Sequence, residues 1–316
     1  MSPPLDWLSR LLGMMPVQGN LDLRCQYGAP WRIDQAGAEV GEMAYHVVLS
    51  GSALLENPRG GAPQRLVAGD ILLLPHREAH VLHDDSGAPA VPAHERTRLN
   101  LTLSENAGTG DRLELLCGRF ILAMPHERVL VRYLPARLVV KTASVTESEV
   151  PSTSAIHLAG LVELMRAESG IDGLGGQAML NALSTAMFAL ILRLASESGD
   201  APAGLLALAA NPRLAPALTA LFQEPAHSWT LAELASRCNM SRATLARHFQ
   251  ERLGYSPIEL LVDIRMTLAA GELSKPAASV AAVAEAVGYQ SDAAFQRAFK
   301  QHMGVTPAGW RRGARH

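Results

Sequence analysis

The sequence predicts an α+β multidomain chain. A strand-rich N-terminal half closes as a barrel or sandwich, a helical connector follows, and an all-α C-terminal domain carries two helix-turn-helix units. Three observations predict it. Short apolar runs broken at Gly and Pro fill the first 150 residues, apolar residues recur at helical spacing after Pro151, and one helical unit returns fifty residues later. A chain of 316 residues has room for about two domains of roughly 150 residues.

The N-terminal elements are AYHVVLSGSALLE (Ala44 to Glu56) and QRLVAGDILLLP (Gln64 to Pro75), interrupted at Gly51, Pro58, Gly60, Gly61, Gly69 and Asp70. Short runs with Gly and Pro at the breaks read as strands and turns. Leu113 to Met124 and Arg128 to Tyr133 are further apolar runs, and the polar stretch from Asp84 to Gly110 reads as a long loop. Leu158, Leu161, Val162, Leu164 and Met165 then mark one helix, and Ala178 to Leu194 a second. The boundaries expected are 1–150, a connector at 151–204, and 205–316.

Composition excludes several classes. With 48% hydrophobic and 18% charged residues, general disorder is excluded. The longest apolar candidate, Ala186 to Leu194, is interrupted by Arg193, so no run reaches the roughly 18–20 residues that span a bilayer. The start has an early Asp6 and reads poorly as a secretory leader. Cys25, Cys117 and Cys238 are too few and too scattered for a secreted disulfide framework. These features predict a cytoplasmic protein without a membrane partner. His227 to His316 holds eleven Lys/Arg against seven Asp/Glu on an otherwise acidic chain, the asymmetry of a nucleic-acid-binding segment.

The internal repeat carries the strongest functional signal. Ser241, Leu245, Arg247, Phe249, Gly254 and Pro257 match Ser291, Phe295, Arg297, Phe299, Gly304 and Pro307 at an offset of fifty. Leu234 and Ala235 match Val283 and Ala284 at forty-nine, which confines a one-residue insertion to the turn. Each unit, at about 231–252 and 280–303, reads as helix-turn-helix. Asn239–Met240 and Gly288–Tyr289 suit the turn, and Ser241 and Ser291 suit the N-cap. Leu245 with Phe249, and Phe295 with Phe299, lie four apart on an inward face. That leaves Arg242, Ala243, Ala246 and Arg247 outward in the first unit, and Asp292, Ala293, Gln296 and Arg297 in the second. A recognition helix presents this face to the major groove, where Arg reads guanine. Solvated helix faces are the alternative, which two matched arginines in two matched units disfavour. Ile258 to Leu273 reads as a helix linking the units.

From about Asn211 to Arg312 the chain resembles the AraC/XylS-type transcription regulators. The tandem units, the linking helix and the closing G-x-[ST]-P-x-x-[WY]-R signature, here GVTPAGWR (Gly304 to Arg311), carry the resemblance. It implies double-stranded promoter DNA and RNA polymerase as partners, activation rather than repression, and no enzymatic activity. The connector of this family often dimerises, so a homodimer through 151–204 is an expectation, although an intramolecular hairpin explains its apolar faces equally well.

Gly69-x5-Pro75-x4-His80-x3-Asp84 is similar to the second motif of cupin barrels, with Arg77 where Gly is usual and Asp84 where Asn is usual. The first cupin motif is poorly kept: His46 is present, but Val48 stands where a second His is expected. No cofactor and no metal site are therefore assigned; His46, His80 and Cys117, with His76, are the candidates if the fold assembles one. The alternative keeps His46 and His80 as hydrogen-bonded barrel residues. On bare sequence Cys25 and Cys117 are small buried hydrophobes, and Cys238 packs in the first helix-turn-helix. The chain also resembles the cupin-domain AraC-type subgroup with reactive-chlorine-responsive activators, from LSRLL and the Pro16 to Gly19 element through Cys117–Gly118. That resemblance implies an N-terminal sensor domain in which Cys25 and Cys117 form an oxidant-responsive pair; in the sequence, Arg24 and Arg119 are neighbours able to favour a thiolate if the fold also brings them close. A regulator sensing a small organic ligand in the barrel is the rival reading, and a metal-dependent cupin enzyme with a DNA-binding tail is a second.

Overall fold

The leucine- and valine-rich runs of the N-terminal half form strands in the computed structural model, which describes residues 6–58, 60–122, 127–142, 151–198, 201–275 and 278–313. Among them, the strands are β1 (Val17–Gly28), β2 (Arg32–Gln35), β3 (Glu42–Ser50), β4 (Ser52–Leu55), β5 (Gln64–Val67), β6 (Asp70–Leu74), β7 (His80–His83), β8 (Ala93–Thr97), β9 (Thr102–Asn106), β10 (Arg112–Leu122) and β11 (Leu138–Lys141). A seven-stranded sheet runs β11-β6-β3-β10-β1-β9-β8, and a four-stranded sheet runs β2-β7-β4-β5. Val48, Leu55, Leu72, Leu74, Leu82 and Leu115, drawn from both sheets, share one buried cluster with Cys25 and Cys117. The strand-rich N-terminal half expected from the sequence is thus present.

Two sequence expectations need correction here. Asp84 to Gly110 is not a continuous loop, because β8 and β9 lie within it and β9 pairs in parallel with β1, Leu23 opposite Thr102. All five residues of β8 are exposed, so it carries no apolar alternation to betray it. Arg128 to Tyr133 is helical: α1 is Trp7–Met14 and α2 is Glu127–Tyr133. A six-residue apolar run does not distinguish strand from helix by periodicity.

The turn motif around β6 and β7 keeps its geometry despite its substitutions. Gly69 has φ +90°, and Arg77, where Gly is usual, holds φ +60°. Asp84 accepts the Trp31 N–H and, at 2.6 Å, the Ser86 N–H, closing the turn beyond β7.

Two helices follow β11: α3 (Thr153–Ser169) and α4 (Gly176–Glu197). α4 lies on the large sheet and caps its irregularity. The Gly19 N–H donates to Thr185 Oγ1 at 2.8 Å. The Leu21 N–H donates to Asn181 Oδ1 at 3.1 Å, where the register of β1 against β10 shifts. Phe120 and Phe188 bring their rings to 4.8 Å. With 22 residues, α4 is long and apolar enough to cross a membrane, a feature the sequence reading did not expect. In the fold Leu180, Met187, Phe188, Ile191 and Leu192 are buried.

The chain forms two compact units, Val17–Leu122 with Pro135–Ala195, and Met1–Pro16 with Ala123–Leu134 and Ser196–His316. The second is helical. It contains α1, α2, α5 (Leu205–Ala209), α6 (Ala215–Gln223), α7 (Leu231–Arg237), α8 (Arg242–Leu253), α9 (Pro257–Leu273), α10 (Val280–Ala286), α11 (Asp292–Met303) and α12 (Pro307–Gly313). Trp7 of α1 meets Phe222 of α6 with ring centroids 6.2 Å apart.

Candidate nucleic-acid interface and thiol site

The two repeated units form the same local structure for the same reasons. Thr230 caps α7 in a reciprocal box with Glu233, and Ser279 caps α10. The turn residues Asn239 and Gly288 hold φ +51° and +84°. At Gly288 a Cβ would stand 2.3 Å from the Ala226 carbonyl oxygen, which requires glycine. Ser241 and Ser291 accept the N–H groups of Thr244 and Ala294 at the starts of α8 and α11. Gly254 and Gly304, both left-handed, end these helices. Leu245, Phe249, Phe295 and Phe299 are fully buried. Arg242, Ala243 and Arg247 on α8, and Asp292, Ala293, Gln296 and Arg297 on α11, face solvent, while Ala246 is half-buried. Arg247 rests on Glu251 at 3.3 Å, one turn on, an exposed pair of little energetic consequence that leaves the guanidinium available. α9, capped by Ser256 and Glu259, links the units and shares a core with α10 and α11. Cys238 is buried at the end of α7.

The thiol site is built across three neighbouring strands. In the β1–β10 ladder Cys117 lies opposite Leu23 and Cys25 opposite Leu115, so the two cysteines are diagonal neighbours on one face. Their sulfurs are 4.0 Å apart and both are free thiols. Cys117 lies opposite His46 of β3, whose Nδ1 is 3.0 Å from its Sγ. His46 Nε2 is 2.7 Å from His80 Nε2, and His80 Nδ1 is 3.2 Å from the Glu78 carbonyl oxygen. That carbonyl only accepts, so His80 carries its proton on Nδ1. His46 Nε2–H then donates to His80, and His46 Nδ1 accepts from the Cys117 thiol. Burial pushes His46 down to about 3, and the neighbouring His80 adds to this. Contact with Cys25, together with burial, pushes the Cys117 thiol well above its ordinary value. The same contact pulls the Cys25 thiol the other way, below its ordinary value, so the proton of the pair is held on Cys117.

Of the two arginines adjacent to these thiols in sequence, the structure turns Arg24 away and pairs Arg119, which lines a cavity together with Cys117, with carboxylates. Alternation along β1 turns Arg24 to the opposite face, where Nε donates to Glu114 Oε1 at 2.9 Å and Nη1 to Ser169 Oγ at 3.1 Å. Arg119 pairs with Asp22 and Glu42, each at 3.5 Å. His46 directs one ring nitrogen to Cys117 and the other to His80, so the three candidate donors form a chain of pairs. Among the described residues no group of three or more His, Cys, Asp or Glu side chains is arranged to hold a metal ion.

A cupin family model matches residues 6–197 and a helix-turn-helix domain model matches residues 234–313. A putative AraC-like transcription regulator of Streptomyces antibioticus is 31% identical over 310 residues, covering 98% of this chain and 99% of that protein. The chain belongs to the AraC-type transcription regulators with a cupin domain. An uncharacterised HTH-type transcriptional regulator of Haemophilus influenzae is 28% identical over 309 residues, covering 98% of this chain and 99% of its own. The RCS-specific HTH-type transcriptional activator RclR of Escherichia coli is 28% identical over 313 residues, with the same shares of both chains. As an AraC-type regulator the chain is a DNA-binding transcription factor.

Two polar clusters of this AraC-type regulator escaped sequence reasoning. Glu114 of β10 receives Arg24 and, at 3.2 Å, Arg166 of α3. Asp263 of α9 receives Arg132 of α2 at 2.8 Å, Tyr133, and His302 of α11. The partners are 39 to 131 residues apart in sequence, and no local pattern announces them.

Proposed function

We propose that this AraC-type regulator is a cytoplasmic transcription activator switched by oxidation of Cys25 and Cys117 to a disulfide. One observation carries the reading: the two thiols are 4.0 Å apart on adjacent strands. Closing them to a disulfide of about 2.05 Å needs an approach of roughly 2 Å. The RclR relative is named as specific for RCS and as an activator, which supports both the oxidant class and the sign. Residues 1–150 serve as sensor, 151–204 as connector and dimerisation segment, and 205–316 as DNA reader. Arg247 and Arg297 lead recognition of promoter bases, with Arg242, Ala243, Ala246, Asp292, Ala293 and Gln296 on the same faces, and RNA polymerase is the further partner. Dimerisation is supported by Ile156 and Leu164 of α3 and by Ile171 and Leu174 after it, large apolar residues left exposed.

The test is peptide mass spectrometry without reductant, before and after about one to two equivalents of hypochlorous acid, with promoter binding and in vitro transcription on the same samples. A Cys25–Cys117 cross-link reversed by dithiothreitol, with a matching change in transcription, is expected. A Cys25→Ala, Cys117→Ala protein that responds in full would overturn the reading in favour of a small ligand in the barrel.

A further inference from the structure

A cavity of about 410 Å³ opens beside the thiol site, and its lining includes Cys117 and His46 but not Cys25. Cys117 retains 9% exposure whereas Cys25 has none. Cys117 therefore lines this cavity, and Cys25 lies behind it, with its sulfur 4.0 Å from that of Cys117. Around the opening stand Asp22, Glu39, Glu42 and Glu95 against a single cation, Arg119. Asp22 and Glu42 share that cation, and Glu39 and Glu95 are exposed. The field at the mouth is negative, which repels anions and leaves uncharged molecules unaffected.

We propose that this cavity is the entry port for a small uncharged oxidant such as hypochlorous acid, that Cys117 is the sulfur it meets first, and that His46 takes the proton. The inference rests on the redox reading above and assigns the order and chemistry of the switch. A Cys117 sulfur lone pair attacks the chlorine, the Cl–O bond breaks, and the thiol proton passes to His46 Nδ1, 3.0 Å away. The departing hydroxide takes up a proton and leaves as water, so Cys117 becomes a sulfenyl chloride. Cys25 then attacks that sulfur, the S–Cl bond breaks, and chloride and the Cys25 proton leave. Two thiols and one hypochlorous acid give a disulfide, water and hydrogen chloride. Each sulfur loses one electron and chlorine gains two.

Iodoacetamide and iodoacetate, similar in size and different in charge, probe the port in the reduced full-length protein, with the unfolded chain as the reference for intrinsic reactivity. Cys117 should be alkylated before Cys25, and iodoacetamide should be favoured over iodoacetate by about tenfold more than in the unfolded chain at low ionic strength. A Glu39→Lys, Glu95→Lys variant should abolish that preference. His46→Asn should keep the charge preference and shift the pH at which Cys117 alkylation rises, because it removes the acceptor of the thiol proton. Alkylation of Cys25 first, of neither cysteine, or without charge preference would overturn the port, and an unaltered pH profile in His46→Asn would overturn the proton acceptor. Port selectivity as expected, with hypochlorous acid leaving DNA binding and transcription unchanged, would reject the redox switch and leave the port standing.

Discussion

Arg132 Nη1 donates to Asp263 Oδ2 at 2.8 Å, joining the short helix α2 to the helix α9 that links the two DNA-reading units. Asp263 is buried, and it also accepts from Tyr133 of α2 and pairs with His302 near the end of α11. Arg128 of α2 donates to the His302 carbonyl oxygen at 2.6 Å. In sequence, α2 follows directly on β10, the strand that carries Cys117. The chain segment after the thiol strand is thus bonded both to the linking helix and to the second candidate recognition helix.

Asp263→Ala should destabilise the helical unit by about 2–4 kcal/mol, because it leaves Arg132, Tyr133 and His302 without their common acceptor. Urea denaturation checks the magnitude, and hydrogen exchange should show the loss of protection concentrated in α2, α9 and α11. A change below about 0.5 kcal/mol would mean that water replaces the carboxylate without penalty.

Arg247→Ala and Arg297→Ala should each weaken specific promoter binding by about 1–3 kcal/mol, roughly 5- to 150-fold, with little effect on non-specific DNA. Titrations against promoter and scrambled duplexes at one salt concentration separate the two. Equal losses on both duplexes would assign these arginines to phosphates instead of bases.

Stability should depend on pH through Glu114. Burial alone would raise its carboxyl, but hydrogen bonds from Arg24 and Gln26 and the charges of Arg24 and Arg166 hold it below the usual range. A folded value below the unfolded one means that the ionised form stabilises the fold. That contribution is complete above about pH 5 and is lost as pH falls through the folded value. Glu114→Gln should therefore melt earlier than the parent protein near about pH 7, and the difference should shrink toward about pH 3.5. A difference constant across that range would trace the effect to packing.

Gly19→Ala should loosen the seat of α4 on the large sheet. A Cβ at this position would lie 2.4 Å from the Thr185 backbone nitrogen and 2.5 Å from the Ser184 carbonyl carbon, neither of which can turn aside as a side chain can. A loss of about 1–3 kcal/mol is expected in chemical denaturation. An unchanged midpoint would show that the helix shifts freely over the strand.

Local patterns in the sequence determined the DNA-reading half. Caps, left-handed turn residues and a four-residue apolar spacing act within one or two helical turns, so Ser241, Asn239, Leu245 and Phe249 can be placed from neighbours in the chain, and the repeat doubles every such signal. The strand-rich character of the N-terminal half was legible for a similar reason, although β8 was hidden because an exposed edge strand needs no apolar alternation.

Only the tertiary structure decided the thiol site. Strand register places Cys117 between His46 and Cys25, 71 and 92 residues away, and a shift of one residue would turn it to the other face. Arg24 shows the converse: adjacent to Cys25 in sequence, it is separated from it by the pleat and spent on Glu114. Sequence proximity in a strand alternates faces, whereas chemistry requires side chains on the same face, and pairing between distant strands supplies them.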